Sequence, residues 1–170
     1  MQDTMTASDA LALLMQNQQH IHENIKFADQ KATAFITINS ALLGVIQTFV
    51  PLRLDHPTTT AFGALAGLFL TLGIAFSVWT IKPRGKQNEE RGAGVIDSVR
   101  IAQQPLDTYL ARIRAISDKD LLDELRTFIY DRAVIDREKY KALALALPLS
   151  AVGWALSLVA TLLVKMNASG

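Results

Sequence analysis

The chain has 170 residues, of which 17 are Lys or Arg and 16 are Asp or Glu, so its formal net charge is only +1. It contains no cysteine, which excludes disulfides and thiolate metal sites. Half of the residues are hydrophobic and the mean hydropathy is +0.22, which is more apolar than an ordinary soluble domain of this length.

Three stretches of the chain contain no charged residue and no histidine: 32–52, 57–81 and 142–164. A helix rises ~1.5 Å per residue and needs roughly 20 apolar residues to cross a hydrocarbon core of about 30 Å, so each stretch is long enough. The predicted fold is therefore an all-α membrane protein with three transmembrane helices. A cleaved signal peptide does not fit, because the first stretch follows a charged polar segment. A soluble helical bundle is the alternative, since the first stretch carries several polar residues.

The distribution of positive charge predicts how these helices are oriented. One Lys or Arg lies in the turn 53–56 and one in the tail 165–170, while all the others lie in 1–31 or 82–141. The positive-inside rule then places 1–31 and 82–141 in the cytoplasm and the turn and tail outside. Segment 82–141 also carries many acidic residues, which argues against sequence-independent binding to nucleic acid.

A single helix is predicted from about Ser8 to Val50, because Thr6, Ser8 and Asp9 are N-cap candidates and no Gly or Pro follows until Gly44. In its first half, residues recur at alternating spacings of three and four. This period is typical of a coiled-coil seam, and equally of an amphipathic helix that lies on the protein's own helices, so both interpretations stay open. The seam comprises Leu11, Leu14, Gln18, Ile21, Ile25, Ala28, Ala32 and Phe35.

The first apolar stretch carries a polar stripe on one helical face, because its members step by four, three, four and three. In lipid such a face either packs against another helix through hydrogen bonds or lines a path for water and ions. Asp29 and Lys31 lie where this face meets the inner membrane surface, a position typical of interfacial anchors. The polar stripe consists of Thr33, Thr37, Ser40, Gly44 and Gln47.

The second stretch is predicted to form an antiparallel hairpin with the first, because Pro51 and the turn 53–56 separate them. Gly63 and Gly67 form a GxxxG pattern in this stretch. Small residues at this spacing let helix backbones approach closely in lipid, so this face is predicted to pack on another helix. The sequence leaves open whether that helix belongs to the same chain.

Segment 82–141 is predicted to be helical after an exposed loop that begins at Lys82. Two short helices, Val95–Ala102 and Leu106–Ile116, are expected on either side of Pro105. Ser117 supplies an N-cap for a third helix, which is predicted to continue into the third apolar stretch with Pro148 as a tolerated kink. Its early acids, which are expected to lie against the helix macrodipole, are Asp118, Asp120, Asp123 and Glu124.

Enzyme signatures are absent from the sequence, and no catalytic residue, metal or resident cofactor is predicted. His20 and His22 are two positions apart in a helix and point about 200° from each other, so they cannot share a metal. The Arg and Tyr residues of the charged segment suit an anionic aromatic ligand, with guanidinium for a phosphate and rings for a base. The other interpretation is an ordinary solvated helical surface. The candidates for ligand binding are Arg100, Tyr109, Arg112, Lys139 and Tyr140.

Several short motifs occur in a characteristic order: Phe27-Ala-Asp29-Gln-Lys31-Ala32 before a stretch containing Asn39, a Lys82-Pro83 exit, GVIDSVRIAQQPLDTYLARI, and IYDRAVIDREKYKALALAL. In order and spacing they resemble the Pycsar transmembrane effector family of bacterial antiphage proteins, from roughly Ile25 to Leu163. The resemblance implies an effector in the bacterial inner membrane. A partner nucleotide cyclase would make cyclic UMP or cyclic CMP upon phage infection, and the effector would answer by impairing the membrane, which causes abortive infection.

Under this hypothesis the ligand favours one oligomer or helix arrangement and opens a path along the polar stripe. A homo-oligomer is expected, because three spans are too few to enclose a channel. The alternative is a membrane-anchored interaction or sensor module that docks a cytoplasmic protein partner and forms no pore, so that the stripe serves only helix packing. An intramembrane enzyme is disfavoured, because no acid, base or nucleophile lies well inside an apolar stretch.

Overall fold

The computed structural model describes residues 6–49, 57–82 and 94–168, and these residues form five helices and no strand. The predicted all-helical fold is therefore confirmed for this part of the chain. The turn 53–56 and the loop that follows Lys82 lie outside the described residues. The helices are α1 (Ala7–Phe49), α2 (Pro57–Ile81), α3 (Ser98–Ala102), α4 (Leu106–Ala115) and α5 (Asp118–Ala168).

Capping side chains explain where the two long helices begin. The backbone N–H of Asp9 donates to Thr6 Oγ1 at 3.2 Å, and the Thr6 N–H donates back to the Asp9 carboxylate at 3.4 Å. Ser117 caps α5 by accepting the N–H of Asp120 at 3.2 Å. Each cap satisfies backbone donors that the first helical turn leaves free. As predicted, α5 then continues as one helix through Pro148.

The short helix predicted over Val95–Ala102 is wrong in its first part, because α3 begins only at Ser98. The cause is a tertiary contact. The backbone N–H groups of Val95 and Ile96 donate to the Glu124 carboxylate on α5, at 2.6 and 3.2 Å. Glu124 therefore acts across the fold, which corrects its predicted role beside the α5 N-terminus. By contrast, α4 matches its predicted range to within one residue.

The chain divides into two compact units, and α1 and α5 contribute residues to both. Unit 1 contains residues 1–25 and 84–136, and unit 2 contains residues 26–83 and 137–170. Within unit 1, the seam residues Leu14, Gln18 and Ile21 of α1 are half-buried. Their burial inside a single chain favours the interpretation of an amphipathic helix that lies on the protein's own helices.

In unit 2 the helices α2 and α5 pack closely through small residues. A Cβ on Gly73 would lie 2.6 Å from Ser150 Oγ, and a Cβ on Gly153 would lie 3.1 Å from the backbone nitrogen of Leu70. Neither position accepts a side chain unless the neighbouring helix shifts, which is how small residues serve helix association in membranes. The buried residues repeat at spacings of three and four: Gly63, Ala66, Leu70, Gly73, Ser77 and Thr80 on α2, and Ser150, Gly153, Ser157 and Ala160 on α5.

Contacts at several levels give the directions of the three helices in unit 2. Gly67 lies beside Leu43, and Gly73 lies beside Asn39, so α1 and α2 run antiparallel, as the hairpin prediction requires. Gly73 also lies beside Ser150. At the start of α2 and the end of α5, the Asn167 side chain donates to Thr59 Oγ1 at 3.2 Å. Hence α5 also runs antiparallel to α2, and α1 and α5 are parallel.

Two helices, α2 and α5, contain segments that are long and apolar enough to cross a membrane. The α1 helix does not meet this criterion among its described residues, so the prediction of three spans is not confirmed. The described part of the first apolar stretch ends at Phe49, and its polar residues, Asn39 and those of the stripe, lower its hydropathy. The exposed large side chains on α2 and α5 are mostly aliphatic, as a lipid-facing surface requires: Leu65, Leu68, Leu72, Leu145, Leu147, Leu158 and Leu162.

Candidate functional site: the polar groups of unit 2

The polar stripe lies on the exposed side of α1. All five of its residues are exposed, whereas Asn39 and Ile46 on the opposite side of the helix are buried. The hydroxyls of Thr33 and Thr37 donate to backbone carbonyl oxygens four residues earlier, at 2.9 and 3.0 Å. These two hydroxyls are therefore satisfied inside their own helix and need no partner from outside it.

Ser40 and Gln47 differ from the two threonines, because their side chains have no hydrogen-bond partner in the described part of the chain. A hydroxyl and a carboxamide each both donate and accept, so they suit water or an identical group equally well. Between them, a Cβ on Gly44 would meet no atom within 4 Å. The stripe therefore presents unpaired polar groups beside open space, in a unit whose exposed large side chains are mostly aliphatic.

A buried polar centre, formed by Asn39, Ser150 and Trp154, joins α1 to α5. Asn39 is fully buried; its Nδ2 donates to Ser150 Oγ at 2.8 Å, and its Oδ1 accepts from Trp154 Nε1 at 2.7 Å. Gly73 leaves room for this arrangement, since a Cβ there would lie 2.7 Å from Asn39 Nδ2. The amide thus uses both of its ends, which offsets the cost of burying it.

A buried ion pair joins the same two helices. Lys139 Nζ on α5 contacts Asp29 Oδ1 on α1, and the side chains of Lys139 and Asp29 are 6% and 35% exposed. A buried ammonium group is costly without such a partner. The sequence predicts Lys139 as a ligand-binding residue and Asp29 as an interfacial anchor, whereas the structure brings the two together. Asp29 precedes Asn39 along α1 by about 15 Å, at ~1.5 Å per residue.

A cluster of exposed charges lies next to this pair on α5. Lys141 Nζ donates to Glu138 Oε1 at 2.7 Å, and Arg137 lies 3.5 Å from the same oxygen. The hydrogen bond from Lys141, together with the charges of Lys141 and Arg137, holds the pKa of Glu138 below its ordinary value. The ionised form of Glu138 is therefore favoured further, and this part of α5 carries charges of both signs.

Two lysines lie over aromatic rings within unit 2. Lys31 Nζ lies 4.1 Å from the centre of the Phe27 ring, and Lys82 Nζ lies 5.8 Å from the centre of the Trp79 ring. Both lysines are exposed. A long basic side chain beside an aromatic ring is typical of the boundary between lipid and water, where the ring lies among the headgroups and the ammonium reaches water.

The remaining candidates for ligand binding are divided between the two units. Arg100, Tyr109 and Arg112 belong to unit 1, and Tyr140 belongs to unit 2, as does the paired Lys139. Arg100 is partly buried and lies 3.9 Å from Asp97, while Arg112 is exposed. Tyr109 and Tyr140 are half-buried. Their role in ligand binding stays a prediction.

The two glycines of the GxxxG pattern lie in different surroundings. Gly63 is buried and Gly67 is half-buried. A Cβ on Gly67 would lie 3.9 Å from Leu43 Cδ2 on α1, which is ordinary van der Waals contact. The helix that Gly67 faces is therefore α1 of the same chain.

The buried polar centre was not predicted from the sequence. One signal was present, because an Asn in the middle of an apolar stretch is costly and requires a partner. Its partners Ser150 and Trp154 are one helical turn apart on α5, more than a hundred residues away. No local pattern identifies partners at that distance. Within the described ranges, no group of His, Asp and Glu side chains is arranged to hold a metal ion.

Comparison with known proteins gives two matches. The family model of the Pycsar effector protein domain, PycTM, matches residues 13–165. The Pycsar effector protein SaPycTM of Staphylococcus aureus is 25% identical over 138 residues, which cover 81% of this chain and 85% of that protein. No solved structure matches significantly.

Proposed function

The chain belongs to the Pycsar transmembrane effector family, and from this premise we propose that it is a bacterial antiphage effector that impairs the inner membrane when it binds a cyclic pyrimidine mononucleotide. The ligand is cyclic UMP or cyclic CMP, supplied by a partner nucleotide cyclase. The protein contributes no catalysis of its own. In this proposal, binding of the anionic nucleotide causes the protein to damage the membrane in which it lies.

The exposed polar stripe is the observation that carries this proposal. In the proposed topology α1 crosses the bilayer beside α2 and α5, with residues 1–31 and 82–141 in the cytoplasm. The buried side of α1 packs against α2 and α5 of the same chain. The stripe therefore faces outward at the depth of the lipid. Hydrocarbon offers Ser40 and Gln47 no hydrogen bond, and this makes a lipid-facing stripe unfavourable.

A second copy of the chain removes this cost, because identical hydroxyl and carboxamide groups pair with one another. The small residues of the stripe, Ser40 and Gly44, allow two copies of α1 to approach closely. In the active state several copies turn their stripes toward a common path for water and ions. Ligand favours this state only to the extent that it binds it more tightly than the resting state.

The stripe is tested by replacing Thr37 and Ser40 together with Leu, which makes the middle of the stripe aliphatic. Bacteria that carry the variant and an active cyclase should keep their membrane potential, whereas the wild-type protein should depolarise them. The measurement is a potential-sensitive dye, with membrane fractionation to verify insertion. A matched control is Thr71→Leu, because Thr71 is an exposed threonine on α2 that bonds only to its own helix.

Two outcomes would overturn parts of this proposal. Full depolarisation by the doubly substituted chain would remove the stripe from the mechanism. An unchanged potential with the wild-type chain, even with cyclase and nucleotide present, would favour the alternative of an interaction module that docks a cytoplasmic protein.

A further inference from the structure

Within unit 1, a carboxylate fills a position that is built for an oxyanion. Glu124 Oε1 accepts hydrogen bonds from two successive backbone N–H groups, those of Val95 at 2.6 Å and Ile96 at 3.2 Å. These residues precede α3, so the donors belong to the irregular segment and not to the helix. Successive N–H groups that converge on one oxygen form an anion-binding concavity of the kind that also holds phosphate.

Gly94 makes room for this oxygen. It is buried, and a Cβ at this position would lie 2.7 Å from Glu124 Oε1. Any other residue would therefore displace the carboxylate. The same Cβ would lie 3.3 Å from Arg100 Cδ, so the stem of the Arg100 side chain and the bound oxygen border the same small space.

Arg100 borders this site through the stem of its side chain, and among the described residues its guanidinium has only a loose partner. Its guanidinium Nε is 3.9 Å from the Asp97 carboxylate, which is longer than a hydrogen bond, and its side chain is 23% exposed. A guanidinium with unused donors is the group that most often binds phosphate oxygens in proteins.

Gln104 contributes a hydrogen-bond acceptor that lacks a donor among the described residues. Its Nε2 donates to the Gly94 carbonyl oxygen at 2.9 Å, which fixes the orientation of the amide. Its Oε1 is buried and has no hydrogen-bond partner among the described residues. A buried acceptor without a donor lowers the stability of the fold. A hydroxyl or an N–H group of a bound molecule would satisfy this oxygen.

From these contacts we propose that the Glu124 carboxylate occupies the phosphate position of the site that binds the cyclic pyrimidine mononucleotide, and that the nucleotide displaces it. A cyclic phosphodiester and a carboxylate each carry one negative charge, so the exchange leaves the charge of the site unchanged. The Arg100 guanidinium then turns from its loose contact with Asp97 to pair with the phosphate, and Gln104 Oε1 accepts from a neutral donor of the ribose or base. Displacement also breaks the two hydrogen bonds by which Glu124 joins α5 to Val95 and Ile96.

This inference rests on the proposed function and identifies where the ligand binds. It is tested by titrating the full-length protein in detergent with cyclic UMP and with cyclic CMP by isothermal titration calorimetry. Glu124→Gln keeps an amide oxygen for both N–H groups but loses the charge, so it competes less strongly with the nucleotide. The dissociation constant of Glu124→Gln should fall about tenfold, and that of Arg100→Gln should rise at least about tenfold.

The matched control is Asp123→Asn, which removes the same charge from the neighbouring residue of α5. Asp123 is exposed and pairs with Arg126 at 2.8 Å, so its replacement should leave nucleotide affinity unchanged. Thermal unfolding without nucleotide verifies that each variant is folded.

The outcomes separate the two proposals. If the wild-type chain binds a nucleotide and Glu124→Gln and Arg100→Gln bind it equally well, the site lies elsewhere and the proposed function stands. If Asp123→Asn tightens binding as much as Glu124→Gln does, the effect is one of overall charge and the inference fails. If the wild-type chain binds neither nucleotide, the proposed function fails and this inference fails with it.

Discussion

A glycine inside a helix costs about 1 kcal/mol relative to alanine, so a glycine that persists there usually serves packing. Gly73 shows the reason directly, because a Cβ would lie 2.6 Å from Ser150 Oγ and 2.7 Å from Asn39 Nδ2. The same methyl group would press on two of the three residues of the buried polar centre. At Gly44 no atom of the described residues lies within 4 Å of the corresponding position, so no contact among them requires a glycine there.

These two glycines form a matched pair for a stability measurement. Gly73→Ala should destabilise the protein by about 1–3 kcal/mol, because the added methyl overfills a tight helix contact. Gly44→Ala should be neutral or stabilise by up to about 1 kcal/mol, since only helix propensity changes. Denaturant unfolding of the nucleotide-free protein in detergent measures both. Equal losses at the two positions would contradict the close approach of α2 to α1 and α5.

At the scale of elements, α1 and α5 are joined at two levels, by the Asp29–Lys139 ion pair and by the polar centre around Asn39. Two attachment points fix both the direction and the register of one helix on the other. A slip of α1 by one turn would separate the ion pair and leave Asn39 without its partners. The cost of such buried, unpaired groups stabilises the observed register strongly.

A double-mutant cycle on Asp29 and Lys139 should detect this coupling. Asp29→Asn leaves a buried ammonium group without its counter-charge and should cost about 2–3 kcal/mol, toward the lower end for buried pairs because Asp29 is partly exposed. The double variant with Lys139→Met should cost less than the two single changes together, by about 1–3 kcal/mol. Denaturant unfolding in detergent measures the free energy of unfolding of the wild-type chain, the two single variants and the double variant.

The exposed pair Asp123 and Arg126 serves as the comparison for this cycle. Its two side chains are 56% and 58% exposed, and its coupling should be about 0.5 kcal/mol or less. A coupling energy between Asp29 and Lys139 as small as that of the exposed pair would show that the buried contact does not hold α1 on α5.

At the scale of the whole molecule, the directions of the helices constrain the topology. In unit 2, α1 and α5 run parallel and α2 runs antiparallel to both. In the proposed topology α2 and α5 cross the bilayer, and α1, which contacts them between Asn39 and Leu43, is predicted to cross it as well. The same topology predicts residues 53–56 on the outer side of the membrane and residues 1–31 in the cytoplasm.

Because the chain contains no cysteine, single-cysteine variants carry one label each and test this topology. Gln19→Cys and Asp120→Cys should react with a membrane-impermeant maleimide only after the inner membrane is permeabilised. Asp55→Cys should react in spheroplasts with an intact inner membrane. Protection of Asp55→Cys in intact spheroplasts would mean that α1 does not cross, and the wild-type chain provides the unlabelled control.

Local patterns in the sequence were sufficient to predict most of the helices. The long charge-free stretches, the Ser117 cap and the absence of Gly and Pro predicted α1, α2 and α5 nearly to their ends, because helix formation depends on neighbours a few residues away. The face occupied by the polar stripe also followed from its spacing of three and four. The spacing shows which residues share a face of the helix, but it does not show what packs against that face. It therefore could not predict whether the stripe is buried.

Only the tertiary structure decided which polar groups are paired. Asn39 meets Ser150 and Trp154, Asp29 meets Lys139, and Glu124 reaches back to Val95 and Ile96. Each of these contacts joins residues far apart in the chain, so each depends on how whole helices pack. The last of them overrode the helical tendency of Val95–Asp97. The sequence by itself determined the helices, because the hydrogen bonds of a helix join residues close together in the chain. Only the packing of helices decided the polar contacts, because their partners are far apart in the chain.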